Sequence, residues 1–459
     1  MVNRLPFASI RRAVACLCAA AVLCPASGGL RAAERRALTL GDAVAAAMRS
    51  NLELRQAATG TDASRLALGR ATSNFLPSLG VSARGSESWS KQYDSAADDY
   101  EGATSRSISF GLSSSLELFS GMSRINSVKQ AKLDLEAEEQ SFVRTRQSVL
   151  YDVVGRFMQA VLDKEILAVS EANLASQRRS LEHIDAFVSS GKRPVADLYQ
   201  QQAAVADAEA KLLEAGRQLE VSTLQLLQTM GSDPGSGWTV VEPDAESLIA
   251  ALDSLARGAA VETAVANRPD VVAQRKAKEA AETQIAISRA GYWPSLSLSA
   301  SVGTSYHDPT SIPGDYANQF DRNLNASIGL SASLSLFDRF QTRNSVSQAK
   351  IGVRRSQIGL ETLELRARIE AVQALSNYET ARQTVEVARA QLAYAEQALR
   401  NYEERYRLGL STLLELLQAR AVYVQSSYSV ARSKYDLIVK AAALLYAADD
   451  IERALRLFN

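Results

Sequence analysis

The spacing of hydrophobic residues changes period at two proline-containing steps of the chain. From Thr39 up to the first step, apolar residues recur every three or four positions, which predicts helix, whereas beyond it apolar and polar residues alternate, which predicts strand. The first step reads NFLPSLGVSARGSESW over residues 74–89, and the second reads GYWPSLSLSASVGTSY over residues 291–306. Proline cannot donate the next helical hydrogen bond and biases the residue before it toward extended backbone. The pattern therefore predicts that a helix ends and a strand begins at Pro77 and again at Pro294.

The two proline steps belong to a pattern that occurs twice. They lie 217 positions apart, and the segment ELFSGMSRINSVKQAK, which begins at Glu117, matches SLFDRFQTRNSVSQAK, which begins at Ser335, at an offset of 218. Self-similarity at a fixed offset indicates a repeated structural unit, so we interpret the chain as an internal two-fold repeat. The predicted boundaries are 37–231 for the first repeat, 232–257 for a connector, 258–449 for the second repeat and 450–459 for a C-terminal tail.

Each repeat contains two alternating segments that are long for strands of a globular protein. Globular strands average about five or six residues, whereas a tilted transmembrane strand needs about 9 to 11. Aromatic residues gather near both ends of these segments, as they do at the two interfaces of a membrane. An amphipathic sheet in a soluble sandwich is the alternative, but the polar face is mostly serine and glycine, which suits a water-filled lumen. The predicted strands are 79–89, 107–119, 295–306 and 323–337.

Four membrane strands cannot form a closed barrel by themselves. Each unpaired backbone group at a sheet edge in hydrocarbon costs several kcal/mol, and the smallest barrels have about eight strands. The chain must therefore oligomerise if these strands lie in lipid. Two copies would supply eight strands, and three copies would supply twelve and leave a wider lumen.

Two proline-free runs predict very long helices. From about Ser123 to Ser189, and from about Thr342 to Tyr406, the sequence is rich in alanine, glutamine, glutamate, arginine and leucine. Roughly 65 helical residues span on the order of 100 Å. Their apolar positions alternate at threes and fours, which suits coiled-coil packing, although a simple antiparallel hairpin also fits. In either case the turns are GKRPVADL, from Gly191, and LGLSTLLEL, from Leu408.

The N-terminal residues 1–33 have the layout of a secretory signal peptide, with Arg4, Arg11 and Arg12 before an apolar run from Ala13 to Cys24. All three cysteines of the chain lie there, so the mature protein is expected to have no disulfide. Outside this segment the sequence lacks the roughly 18 to 20 consecutive apolar residues of a membrane helix.

Charge and motif content exclude several classes of function. The chain has 51 basic and 51 acidic residues and no basic stripe interleaved with aromatics, which argues against nucleic-acid binding. Its two histidines, His183 in a helical run and His307 in a predicted loop, fall in no HExxH motif, and no serine falls in GxSxG. We therefore predict no catalytic residue, no cofactor site and no metal site.

Taken together, these segments resemble the TolC-like outer-membrane efflux protein (outer membrane factor) family. The resemblance covers nearly all of the mature chain and rests on the duplicated order of LTLGDAVAAAMRSNLEL, the FLPSL and YWPSL steps, GKRPVADL and LGLSTLLEL. It implies a mixed α and β membrane protein in the outer membrane of a Gram-negative cell. Three protomers would each give four strands to one twelve-stranded transmembrane β-barrel, continuous with a long periplasmic α-helical coiled-coil barrel. The connector 232–257 would lie in the equatorial region of that tunnel.

The resemblance also implies a function. Such a homotrimer is the exit duct of a tripartite transport system and passively conducts substrates that an inner-membrane pump, of RND, ABC or MFS type, expels through a periplasmic adaptor (membrane fusion protein). Efflux of small molecules or multiple drugs is the leading hypothesis, and type I protein secretion is the alternative. A trimeric structural coiled-coil surface protein is a second alternative, although such a fibre needs neither membrane-length strands nor two turns at one end.

The site residues that the resemblance implies lie at the two turns. Asp197 and Tyr406 match positions that hold the tunnel closed in the type member, while their arginine partner is replaced by Ser411, with Arg405 or Arg407 as a substitute. The acidic constriction would be formed by Glu415, with Gln418 at the position of the second acid, and one carboxylate per protomer around a three-fold axis would still form a negative ring. The turn residues that would contact the adaptor are Gly191, Lys192, Pro194, Gly409, Leu410 and Ser411.

Overall fold

The computed structural model describes residues 36–94, 98–258, 266–308 and 316–453. The predicted signal peptide, residues 1–33, lies outside the described residues. The first half of the chain consists of β1 Arg36–Leu38, α1 Leu40–Ser50, α2 Leu52–Ser73, β2 Ser78–Asp94, β3 Asp99–Ser120, α3 Ser123–Ser189 and α4 Val195–Met230. The remainder consists of β4 Trp238–Val240, α5 Ala245–Gly258, α6 Pro269–Arg289, β5 Ser295–Asp308, α7 Tyr316–Arg322, β6 Asn325–Ser333, α8 Gln341–Arg407 and α9 Leu413–Ala447.

Two helices of 67 residues each, α3 and α8, determine the length of the molecule. At 1.5 Å per residue each extends for about 100 Å. Each begins directly after a residue in the left-handed backbone region, Met122 with φ of +68° and Phe340 with φ of +62°. Helix α3 turns back into α4, and α8 turns back into α9. The sheet and the two helical turns therefore lie at opposite ends of the long helices.

The sheet is antiparallel, with the strand order β2, β3, β5, β6. One register row across all four strands is apolar and consists of Val81, Leu112, Val302 and Ala326. The adjacent row has side chains on the opposite face and consists of Gly80, Ser113, Ser301 and Ser327. Leucine, valine and isoleucine on the first face are largely exposed, whereas serines on the second pair through their hydroxyls, as Ser301 and Ser327 do at 2.9 Å. The sheet thus has one apolar and one polar face.

The strands differ in extent from the predicted ranges. The hairpin of β2 and β3 continues beyond the predicted ends at residues 89 and 107, up to the pair Asp94 and Asp99. Strand β6, predicted over 323–337, ends at Ser333, because its partner residue Ser295 is the first of β5 and follows Pro294. At its other end, Asn323 bonds back to the carbonyl of Ser305 through its side chain at 2.6 Å and stays outside the strand.

The hydrophobic core lies midway along the long helices, where the connector packs. Leu38 of β1, Val240 of β4 and Leu252 of α5 are buried there against Phe157 of α3 and Ile438 of α9. Strands β1 and β4 pair in parallel, a contact between the N-terminal segment and the connector that the sequence did not reveal. The connector therefore contributes to the core instead of only covering it.

The start of the predicted tail, 450–459, is also part of the packed structure. Residues 451–453 are helical, and Ile451 is fully buried. Glu452 pairs with Arg146 of α3, and Arg144 of the same helix donates to the carbonyl of Tyr446 at 3.0 Å. These contacts attach the end of α9 to α3.

Replacing Gly231 with alanine is expected to destabilise the junction between α4 and α1. Gly231 ends α4 with φ of +66°, and a Cβ atom at this position would lie 2.3 Å from the carbonyl oxygen of Ser50. Both the backbone strain and the steric conflict predict a loss on the order of 2–4 kcal/mol in the free energy of unfolding. Gly216 lies within the same helix with open space around it, so Gly216→Ala is the matched control and should leave stability unchanged or raised. Thermal unfolding followed by circular dichroism measures both, and equal midpoints would contradict the prediction.

Candidate gate at the helical turns

The two turns, between α3 and α4 and between α8 and α9, have the same backbone geometry. Gly191 and Gly409 both take left-handed conformations, with φ of +71° and +78°. The amide that follows each glycine bonds back to the carbonyl five residues earlier, at 2.9 Å in the first turn and 2.8 Å in the second. This is a Schellman end to each long helix, and it requires glycine because of the positive φ and not because of crowding, since open space surrounds both positions.

The helices that leave the two turns begin differently. Thr412 is the N-cap of α9 and forms a capping box with Glu415, whose Oε2 accepts the backbone N–H of Thr412 at 2.8 Å. These hydrogen bonds from Thr412 lower the pKa of the Glu415 carboxyl, which is therefore ionised and held at the helix start. At the matching position of α4 the N-cap is Pro194, which has no N–H to donate.

This difference leaves Asp197, the counterpart of Glu415, outside any capping box. Its carboxylate oxygen Oδ2 instead accepts the hydroxyl of Tyr406, near the end of α8, at 3.3 Å. Burial raises the pKa of the Tyr406 hydroxyl, and the nearby charge of Asp197 raises it further. Tyr406 is thus a neutral donor at neutral pH, and the bond links the start of α4 to the end of α8.

Arg193 is the arginine next to this bond. Its guanidinium donates to the carbonyl of Tyr406 at 2.7 Å and lies 4.3 Å from the centre of the Tyr406 ring. The substitutes suggested by the sequence bond elsewhere: Arg405 donates to the carbonyl of Leu410 at 3.4 Å, and Arg407 pairs with Glu404 at 2.7 Å. The expectation that one of those two replaces the missing arginine in the assembled tip stays a prediction. We call Arg193, Asp197 and Tyr406 the tip cluster.

The other predicted site residues are spread over the surface around the tip cluster. Gln418 is exposed, one turn beyond Glu415. Of the residues predicted to contact an adaptor, Ser411 is buried, and its hydroxyl donates to the carbonyl of Tyr402 at 3.5 Å. Its side chain is therefore directed into the protein. The exposed turn residues are Gly191, Lys192, Pro194, Gly409 and Leu410.

A buried polar layer, which sequence reasoning did not identify, lies further along the helices. Gln201 of α4 is fully buried and donates to the side chain of Gln177 of α3 at 2.8 Å. Arg420 of α9 bonds to Ser180 of α3 at 2.8 Å and to Glu403 of α8 at 2.8 Å. The layer therefore joins all four long helices. The sequence signal for this layer is that polar residues occupy some of the three-and-four positions that are otherwise apolar.

The described residues contain neither a metal-binding cluster nor a membrane-crossing helix. No group of three or more histidines, cysteines, aspartates or glutamates in these ranges is placed to hold a metal ion. None of the helices in the described ranges combines the length and hydropathy that a membrane-crossing helix requires.

Comparison with known proteins defines the family. The sequence model of the outer membrane efflux protein family matches residues 43–232 and 260–448. The chain belongs to the outer membrane efflux protein family. It is therefore an outer membrane protein, and the long helices form its periplasmic extension.

Similar proteins come from several bacteria. The chain is 25% identical to the outer membrane efflux protein BepC of Brucella suis biovar 1 over 332 residues, which covers 72% of this chain and 69% of BepC. It is 21% identical to the outer membrane protein TolC of Salmonella enteritidis over 402 residues, 87% of this chain and 79% of TolC.

Solved structures show the same fold. The Campylobacter jejuni CmeC outer membrane channel superimposes with a TM-score of 0.76 at 19% identity, over 90% of this chain and 86% of that chain. The outer membrane protein VceC of Vibrio cholerae gives 0.72 at 18% identity, over 89% and 95%. The predicted mixed α and β architecture of TolC-like channels is confirmed at this level.

Proposed function

We propose that this efflux family member is a homotrimeric exit duct whose three four-stranded sheets close into one twelve-stranded barrel above a coiled-coil tunnel. Strands β2 and β6 give the strongest support, because among the described residues each pairs along one edge only. The apolar face of the sheet is exposed, so the sheet fits lipid, where such edges must be paired. The proposed repeats, 37–231 and 258–449, would then alternate around a pseudo-sixfold tunnel.

The transported substrate is proposed to be small molecules. BepC is described as an outer membrane efflux protein, and the 23% identical CusC of Escherichia coli O157:H7 as a cation efflux system protein. Substrate would come from an inner-membrane pump through a periplasmic adaptor at the tip. The exposed turns, with Lys192 in one and Leu410 in the other, are the surface offered to that adaptor. Photo-crosslinking from Leu410 tests this contact, and no adaptor product would argue against it.

The purified protein is expected to form discrete channels in planar lipid bilayers and to have the mass of three chains by native mass spectrometry. Three protomers would supply twelve strands, enough for a barrel with an open lumen. Two protomers would supply eight, and side chains nearly fill the interior of an eight-stranded barrel. The Asp197→Ala variant serves as the positive control for a closed tip. A dimer mass, or no channel from either protein, would overturn the duct, and conduction of unfolded polypeptide but no small solute would favour protein secretion.

A further inference from the structure

A cavity of about 590 Å³ lies between α3, α8 and α9 in the middle of the molecule, far from the tip cluster. Its size falls in the range of about 300–1,000 Å³ that is typical of small-molecule sites. Apolar side chains from two helices form much of its wall, among them Leu162 and Ile166 of α3 and Val439 of α9. Polar groups are contributed by Asp163, Ser433 and others.

Asp163 is the unusual member of this wall. The residue is only 4% exposed, yet it carries a carboxylate. One oxygen, Oδ1, accepts the amide of Gln159 at 3.0 Å, whereas Oδ2 is buried and has no hydrogen-bond partner in the described part of the chain. A buried carboxylate that lacks a partner is costly, and a cation that supplies a donor would remove that cost.

Two α3 residues of the cavity wall, Leu162 and Ile166, lie on a different face of the helix from the residue that contacts the connector. Lys164 binds the connector by donating to the carbonyl of Val240 at 2.8 Å. Leu162, two residues before Lys164, lies about 200° around the helix from it, and Ile166 shares the face of Leu162. The ring of Tyr435 also lines the cavity, but its hydroxyl is already engaged with Glu242 at 2.7 Å. Among the buried groups of the wall, the Asp163 carboxylate has an oxygen, Oδ2, with no hydrogen-bond partner in the described part of the chain.

We propose that this cavity binds an organic monocation, an ammonium group at Asp163 with an apolar body along Leu162, Ile166 and Val439. A divalent metal ion needs several oxygen ligands, and the wall offers one buried carboxylate with hydroxyls and apolar groups. Asp436 and Arg432 also line the cavity as exposed residues, so the charged side chains of its wall are two carboxylates and one guanidinium. The site would add organic cations to the substrates of the proposed duct, so its biological meaning rests on the proposed function. Binding itself is measured without transport.

Binding of dansylcadaverine, a fluorescent primary ammonium, to the purified full-length protein tests the site. We expect saturable binding that weakens about tenfold in Asp163→Asn, which keeps the side-chain shape and removes the charge. The N-acetylated probe, which lacks the ammonium, should bind the parent protein no more tightly than dansylcadaverine binds Asp163→Asn. Asp185→Asn, on an exposed face of the same helix, is the matched control and should change nothing. Arg432→Gln should strengthen binding, because it removes the one positive side chain of the wall.

Several results would overturn the site. Equal binding of the charged and acetylated probes would show partition into detergent only, and equal losses in Asp163→Asn and Asp185→Asn would show unspecific attraction to negative charge. Binding that appears only in Arg432→Gln would show that Arg432 itself occupies the carboxylate. None of these results bears on whether the protein conducts, so a missing site and a missing duct are distinguishable.

Discussion

Replacing Asp197 with alanine is expected to open the tip and raise the single-channel conductance of the purified protein in planar bilayers. The change removes the acceptor of the Tyr406 hydroxyl, which joins the start of α4 to the end of α8 across 3.3 Å. A hydrogen bond to a charged group contributes about 1.5–3 kcal/mol, and this separation places the bond at the weak end. Since three protomers would each lose one bond, the ratio of open to closed channels should rise on the order of 10³-fold.

The predicted repeat supplies a matched control for this experiment. Glu415 occupies the same place after the second turn, but its carboxylate is used by the capping box with Thr412. Glu415→Ala should therefore weaken the start of α9 by about 1 kcal/mol and leave the closed state populated. Tyr406→Phe should resemble Asp197→Ala, because it removes the hydroxyl donor while keeping the ring beside Arg193. Unchanged conductance in both Asp197→Ala and Tyr406→Phe would mean that another contact holds the tip closed.

The long helices and the strand positions could be predicted because their signals are local. The run from Ser123 to Ser189 is rich in helix formers and has no proline to interrupt it, which favours one continuous helix, and α3 has these same limits. The extra residues of β2 and β3 could not be foreseen, because a hairpin continues for as long as its two strands stay paired. The early end of β6 depends on a partner strand that begins at Ser295, so it follows from pairing and not from the pattern of residues 334–337.

Contacts at the tip were harder to predict from the sequence because they join segments that are distant along the chain. Arg193 lies 213 positions from Tyr406, and no local pattern indicates that its guanidinium reaches that ring. The capping role of Glu415, in contrast, can be predicted from the sequence, since Thr412 and Glu415 form the Thr-x-x-Glu signature of a capping box. The resemblance to a known gate pointed to Asp197 and Tyr406, which share a hydrogen bond in the protomer, but it did not point to Arg193.

Arginine in place of Ile328 is expected to prevent assembly in the outer membrane. Ile328 lies in the middle of β6 on the apolar face and is 82% exposed in the protomer. An arginine on the lipid face near the bilayer midplane costs about 2–4 kcal/mol, and a trimer would carry three of them. The amount of trimer in outer-membrane fractions, measured on semi-native gels, should therefore fall to a small fraction of the parent level.

Ser327→Arg is the control that separates a membrane effect from damage to the strand. Ser327 is the preceding residue, points to the opposite face, and its hydroxyl bonds to that of Ser301 at 2.9 Å. If this face surrounds a water-filled lumen, the new arginine remains hydrated and the trimer assembles, but three added positive charges should lower the preference for cations in bilayer recordings. Failure of both variants would indicate a folding defect of β6, assembly of Ile328→Arg alone would reverse the two faces, and normal assembly of both without altered selectivity would exclude lipid contact for this sheet.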